Sequence, residues 1–207
     1  MSDPHYLLLR CACGALRGRF DATGGVGNRH LCYCDDCQAY ARWLGRDDVM
    51  NARGGTDIIQ TWPARVRLDV AGPPLARMKL SEKGLNRWYA ACCRTPVANT
   101  MSSARLPFTG LMRQVVDADD AQINAIFGAT HGIQGRYAIG GCPPDADASA
   151  SFGVIARSVS TLARGAWSGA HQPSPFFGAD GQPSLPALVL DPEARRALYP
   201  NKASPTA

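Results

Sequence analysis

Apolar residues along the chain recur in short bursts. From Gly54 to Val116, the segments DIIQTW, RVRLDV, ARMKL, NRWYA and LMRQVV are β-rich and partly alternating, as expected of half-buried strands. Gly or Pro separates several of them, at GG, WPA, GPP, KG and LP. Many short strands without helices between them predict an all-β, sandwich-like core. Upstream, YLLLRCACGALRGRF reads as two strands around a Cys-Ala-Cys-Gly corner, with Gly14 suited to the tight turn. DATGGVGN reads as a loop, and DDCQAYARWL as a short helix with Asp35 or Asp36 as N-cap.

After Asp117 the period changes. DADDAQINAIFG has the form of a capped helix, and GGCPPDADASAS that of an irregular link. FGVIARSVSTLARGAW places Phe152, Ile155, Val159, Leu162 and Ala166 at helical spacing, with Arg157 and Arg164 on another face. Such a helix docks on the β core or lies on a membrane surface, and docking is the expectation taken here. HQPSPFFGADGQPS is a turn-rich loop, and DPEARRAL a last short helix with Asp191 as N-cap and Pro192 at N1. The division expected is a β domain over residues 1–116 and a helical and loop extension over 117–207, packed on it.

Composition adds to this picture without altering it. Gly 21 and Pro 15 among 207 residues favour turns, and 45% hydrophobic with 19% charged residues is ordinary for a globular chain. No apolar run approaches the roughly 18 residues of a membrane span, and the start has no basic leader. A cytoplasmic protein is therefore expected. Thiols stay reduced there, so eight cysteines point to metal before disulfides.

Seven cysteines fall in three groups: Cys11 and Cys13, then Cys32, Cys34 and Cys37, then adjacent Cys92 and Cys93. Cys142 stands alone and reads as a buried small hydrophobe. Zinc prefers sulfur and nitrogen in a tetrahedron, and closely spaced cysteines supply several corners from one turn. Two C-x-C elements with a distant pair can build two sites: a closed four-sulfur site, and a three-sulfur site with a free corner for water or substrate. Iron–sulfur ligation fits less well, because the spacings do not match the common ferredoxin patterns. Two zinc–thiolate sites would lower the formal charge of +5 to about +2. With no Lys/Arg run, nucleic acid is not an expected partner.

With CACGALRG, then CYCDDCQAY, then KGLNRWYAACCRTP, residues 6 to about 115 resemble the glutathione-dependent formaldehyde-activating enzyme family, also called the centromere-protein-V domain. That family has an Mss4-like fold, so the resemblance implies a mainly β sandwich of short antiparallel strands with zinc sites. It places Cys11, Cys13 and Cys93 on a structural zinc, and Cys32, Cys34 and Cys37 on a catalytic one. Ala90 stands at the first distal cysteine position and Arg94 at the following glycine, which leaves Cys92, His30 or water to complete the structural site. Gln38 and Ala39 stand where the family has a basic residue. The implied activity is that of a zinc-dependent carbon–sulfur lyase on thiol–aldehyde adducts such as S-(hydroxymethyl)glutathione, with one or two Zn²⁺ per chain. The alternative is a zinc-stabilised interaction module without catalysis.

Arg42, Lys83, Arg87 and Arg94 lie near these motifs and are candidate donors to an anionic substrate, against a reading as solvated surface charges. His30 is a candidate ligand or base, more simply a polar residue at a strand end. Trp43, Trp62, Trp88 and Tyr89 are candidate pocket aromatics, more simply core.

Overall fold

In the computed structural model, which describes residues 5–69 and 75–199, the chain is mostly β with a few helices. The first two strands, β1 (Tyr6–Arg10) and β2 (Arg17–Asp21), form a hairpin with Leu7 opposite Phe20. Along β1 burial alternates: Leu7 and Leu9 point inward, while Tyr6, Leu8 and Arg10 face solvent. β5 (Val66–Leu68) and β10 (Val116–Asp117) complete a four-stranded antiparallel sheet in the order β10-β1-β2-β5. The turn read at GPP lies outside the described residues, as does Val70 at the end of RVRLDV.

A second sheet has eight strands. In sequence these are β3 (Asn28–Cys32), β4 (Thr56–Thr61), β6 (Leu75–Lys79), β7 (Asn86–Ala90), β8 (Pro96–Thr100), β9 (Thr109–Met112), β11 (His131–Ile133) and β12 (Ala187–Val189). Their spatial order is β11-β3-β4-β9-β8-β7-β6-β12. Its inner pairings are antiparallel, whereas β11 joins β3 and β12 joins β6 in parallel. Strands from residue 116 onward therefore lie at the edges of both sheets.

The two sheets share one core. Leu7, Leu9 and Phe20 from the small sheet pack in a cluster with Ile59, Trp88, Ala98 and Leu111 from the large one. Every residue of β8 is buried, because this strand is central and covered on both faces. The register explains which side chains look inward. Trp88 pairs with Ala98, Ala98 with Leu111 and Leu111 with Ile59, so one cross-strand row faces the core. The adjacent row, Arg87, Asn99, Gly110, Gln60 and Asn28, must face the opposite side, where the candidate site lies.

Four α-helices lie among the described residues: α1 (Asp35–Leu44), α2 (Asp120–Phe127), α3 (Phe152–Trp167) and α4 (Pro192–Ala197). Gly45 ends α1 in the left-handed region (φ 63°), and its N–H bonds to the carbonyls of Ala41 and Arg42. The N-cap of α1 is Cys34, one residue before the expected Asp35 or Asp36. Its side chain makes no capping bond, because the thiol belongs to a cysteine cluster. α2 has a full capping box between Asp119 and Gln122, and Asp191 caps α4 through the amides of Glu193 and Ala194.

α3 docks, but not by the stripe its periodicity suggests. Thr161 and Gly165 are buried, whereas Phe152 is 86% exposed. The Trp62 indole donates to the Thr161 carbonyl at 2.9 Å. Ser158 donates to the Gln60 side chain at 2.8 Å and accepts from Asn28 at 3.3 Å. A small and polar ridge therefore seats this helix, leaving Ile155 and Val159 about half exposed beside the site. Among the described residues, no helix is long and apolar enough to cross a membrane.

Candidate metal centre

The thiols of Cys11, Cys13, Cys92 and Cys93 converge, all within 4.8 Å of one another. Cys11 and Cys13 follow β1, while Cys92 and Cys93 sit in the turn between β7 and β8. Cys11 lies 3.5 Å from Cys13 and 3.7 Å from Cys92, and Cys13 lies 3.3 Å from Cys92. None of these separations is near the 2.05 Å of a disulfide bond, and all the described cysteines are free. A tetrahedral ion with metal–sulfur bonds of about 2.3 Å spaces its sulfurs by about 3.8 Å, so the four thiols fit one. Adjacent Cys92 and Cys93 thus lie in the same group, with sulfurs 3.8 Å apart.

The corner is built by the backbone around it. Gly14 takes a positive φ of 77°, its N–H bonds to the Cys11 carbonyl, and the Leu16 amide donates to the Cys11 sulfur at 3.2 Å. Thr95, which the sequence reading did not single out, ties the two halves together. It accepts from the Ala12 amide at 2.9 Å, lies 3.1 Å from the Cys93 sulfur and accepts from Arg46 at 3.2 Å. Arg94 holds the left-handed conformation (φ 55°) that glycine adopts freely, at a cost of about 1–2 kcal/mol for an ordinary residue. Its guanidinium lies over the Trp43 ring, 6.0 Å from the centroid.

Cys32, Cys34 and Cys37 form the second group, again with sulfurs within 4.8 Å. Cys32 ends β3, Cys34 caps α1 and Cys37 lies in its first turn, so the positive end of the helix faces the sulfurs. Hydrogen bonds from Cys32 and Cys34, then the charge and hydrogen bond of Arg87, hold the Cys37 thiol well below its usual range despite burial. The Cys34 thiol is pushed up by Cys32, Cys37 and burial. A thiol held low beside thiols held high is a set ready to exchange protons for a cation.

Arg87 lies at the floor of the site. It is buried, stacks over Tyr40 at 5.0 Å from the ring centroid and donates to Asn99 at 3.4 Å. With three thiolates and a divalent ion the group carries −1, which this guanidinium neutralises. A cavity of about 380 Å³ opens above the trio, with His30, Gln60, Arg87 and Asn99 among its polar lining. Both ring nitrogens of His30 are buried without a hydrogen-bond partner. Burial first, then His131 and Arg157, lower its pKa, so the imidazole is neutral.

Over residues 4–185 the chain matches the model of a family of unknown function (DUF6151). It belongs to that family. A search of the curated proteins finds no match.

The other candidates of the sequence reading lie elsewhere. Arg42 donates to the Leu198 carbonyl and to Gln38, Lys83 is exposed and Arg94 lies over Trp43, so of the four basic residues Arg87 alone lines this cavity. His30 sits mid-strand in β3 rather than at its end. Trp62 and Trp88 are buried, and Trp43 packs edge-on against Tyr89, outside the cavity lining. Cys142 is exposed rather than buried, since its irregular link crosses the surface, where its thiol donates to the carbonyls of Pro143 and Ala146. Gln60, Asn99 and Ser158 gave no signal in the sequence, because a cross-strand row is invisible until the register is known.

Proposed function

We propose that this protein is a zinc-binding carbon–sulfur lyase of the formaldehyde-activating type, acting on thiol–aldehyde adducts. One observation carries this reading: three cysteines, not four, converge at the floor of a cavity, while a separate group of four lies in a corner between the sheets. The four-thiol set is suited to a closed structural ion and the three-thiol set to one with a free position. A zinc ion on Cys32, Cys34 and Cys37 would supply Lewis acidity and lower the pKa of a coordinated thiol.

The chain's own groups do the rest. Arg87 lies at the floor, where a fixed cation stabilises developing negative charge, and Asn99 holds it by accepting from its guanidinium. The apolar walls lower the polarity around the sulfurs and strengthen that interaction. His30 lines the cavity, but both its ring nitrogens are buried, so the proton moves between the bound thiol and the carbonyl oxygen without it. In the addition direction one carbon–sulfur bond forms, the carbonyl π pair moves to oxygen, and the thiol proton ends on that oxygen. Cleavage is the reverse, and no oxidant or reductant enters.

The test is exchange spectroscopy by NMR on formaldehyde, a thiol and their hydroxymethyl adduct. The zinc-loaded chain should accelerate interconversion, and Cys34→Ser should abolish the acceleration while remaining folded. No acceleration with any of several thiols would sink the lyase reading and leave a zinc-stabilised binding module.

A further inference from the structure

The lining of the cavity narrows what can enter it. Its apolar walls include Ile58, Phe108, Ile133, Val154, Ile155 and Val159, from β4, the segment before β9, β11 and α3, with Leu85 and Ala150 beside them. Gly110 keeps the floor clear: a Cβ there would lie 3.1 Å from Ile58 and 3.6 Å from Phe108. The polar groups around these walls are largely spoken for. Gln60 and Ser158 bond to each other, and Asn99 donates to the Met112 sulfur while accepting from Arg87. Among the described residues that line the cavity, Arg87 is the sole Lys or Arg, and its charge already faces the Cys37 thiol. Asp36, the sole carboxylate among them, accepts from Tyr199 at 2.5 Å. Glutathione carries two carboxylates and an ammonium, and among the described residues this lining offers them no free counter-charge. Burying them unpaired would cost far more than the peptide's contacts return.

We infer that the cavity takes a thiol, or its aldehyde adduct, with an uncharged apolar body, aliphatic or aromatic, whose sulfur end faces Cys32, Cys34 and Cys37. This rests on the lyase reading for the identity of the sulfur end. The apolar body rests on the walls alone. α3 contributes most to the selection of any single element, since Val154, Ile155 and Val159 all come from it. The chemistry is the balanced addition given above, with the charged peptide replaced by a hydrocarbon.

The zinc-loaded full chain, with isotope-labelled Ile and Val methyl groups, can be titrated with benzyl mercaptan and separately with glutathione. Benzyl mercaptan should shift the methyl signals of Ile58, Ile133, Val154, Ile155 and Val159 at concentrations at least tenfold below those glutathione needs. Ile155→Glu and Val159→Glu sit at half-exposed positions and should keep the fold and metal content, yet weaken benzyl mercaptan at least fivefold. Equal or tighter glutathione binding, silent methyls, or unaffected variants would each overturn the inference. The expected shifts without faster hydroxymethyl exchange would support the apolar ligand and sink the lyase reading. Acceleration with glutathione but not benzyl mercaptan would do the opposite.

Discussion

Cys92 stands one residue from Cys93 yet joins the same four-sulfur group, and this can be tested directly. Cys92→Ser should lower bound metal by one equivalent per chain, measured by atomic emission, while the Cys32–Cys37 group keeps its ion. Arg87 presents a second test. Its charge favours the Cys37 thiolate, and a metal at that group competes with protons for the sulfurs. A favoured thiolate retains metal to lower pH, so Arg87→Leu should move the midpoint of acid-induced metal loss upward. The shift should be about one pH unit, at the lower end of what a neighbouring opposite charge does. An unmoved midpoint would show that the guanidinium does not feel the thiolates. Both residues could be picked from the sequence as members of motifs, but their partners could not: nothing in CCRT says that Thr95 meets the Ala12 amide.

Among the elements, α3 departs furthest from its sequence pattern. Its apolar spacing argues for a buried Phe152–Ile155–Val159 stripe, but the helix is fixed by Ser158, Thr161 and Gly165. A Cβ on Gly165 would lie 2.6 Å from the Trp62 indole nitrogen and 3.0 Å from Pro107. Gly165→Ala should therefore destabilise the protein by about 1–3 kcal/mol, as overpacking does, read from the urea midpoint. Amide exchange over 152–167 should speed up at the same time. Unchanged exchange would mean that the helix is held by other contacts. α1, α2 and α4, in contrast, follow local chemistry. The glycine stop after α1, the Asp119–Gln122 box and the Asp191-Pro192 start act within a few residues, so the sequence displays them.

For the molecule as a whole, the two cysteine groups differ in reach. The four-thiol group joins residues 11 and 92 and so links the small sheet to the large one, whereas the trio lies within one six-residue segment. A cross-link stabilises more when it closes a longer loop. Removing metal with a strong chelator should lower the melting temperature by about 10 °C or more, given 2–4 °C per kcal/mol for a chain of this size. Cys13→Ser should reproduce most of that loss, and Cys34→Ser little of it. Equal losses would show that the trio also carries the fold.

The sequence by itself determined that this chain is mostly β, where three of its helices begin, and that its cysteines come in metal-ligand spacings. Those are local properties, decided by the alternation of side chains along a strand, by capping groups a few residues away, and by the reach of a thiol across one turn. It did not determine that β11 and β12 add in parallel at the edges of the large sheet, or that Arg87, Asn99, Gly110 and Gln60 form one row. Strand register decides that row, and register is a property of pairs of strands distant in the chain. The cavity exists only because that row, the Cys32–Cys37 turn and α3 meet in space, and no single segment carries the information that they do.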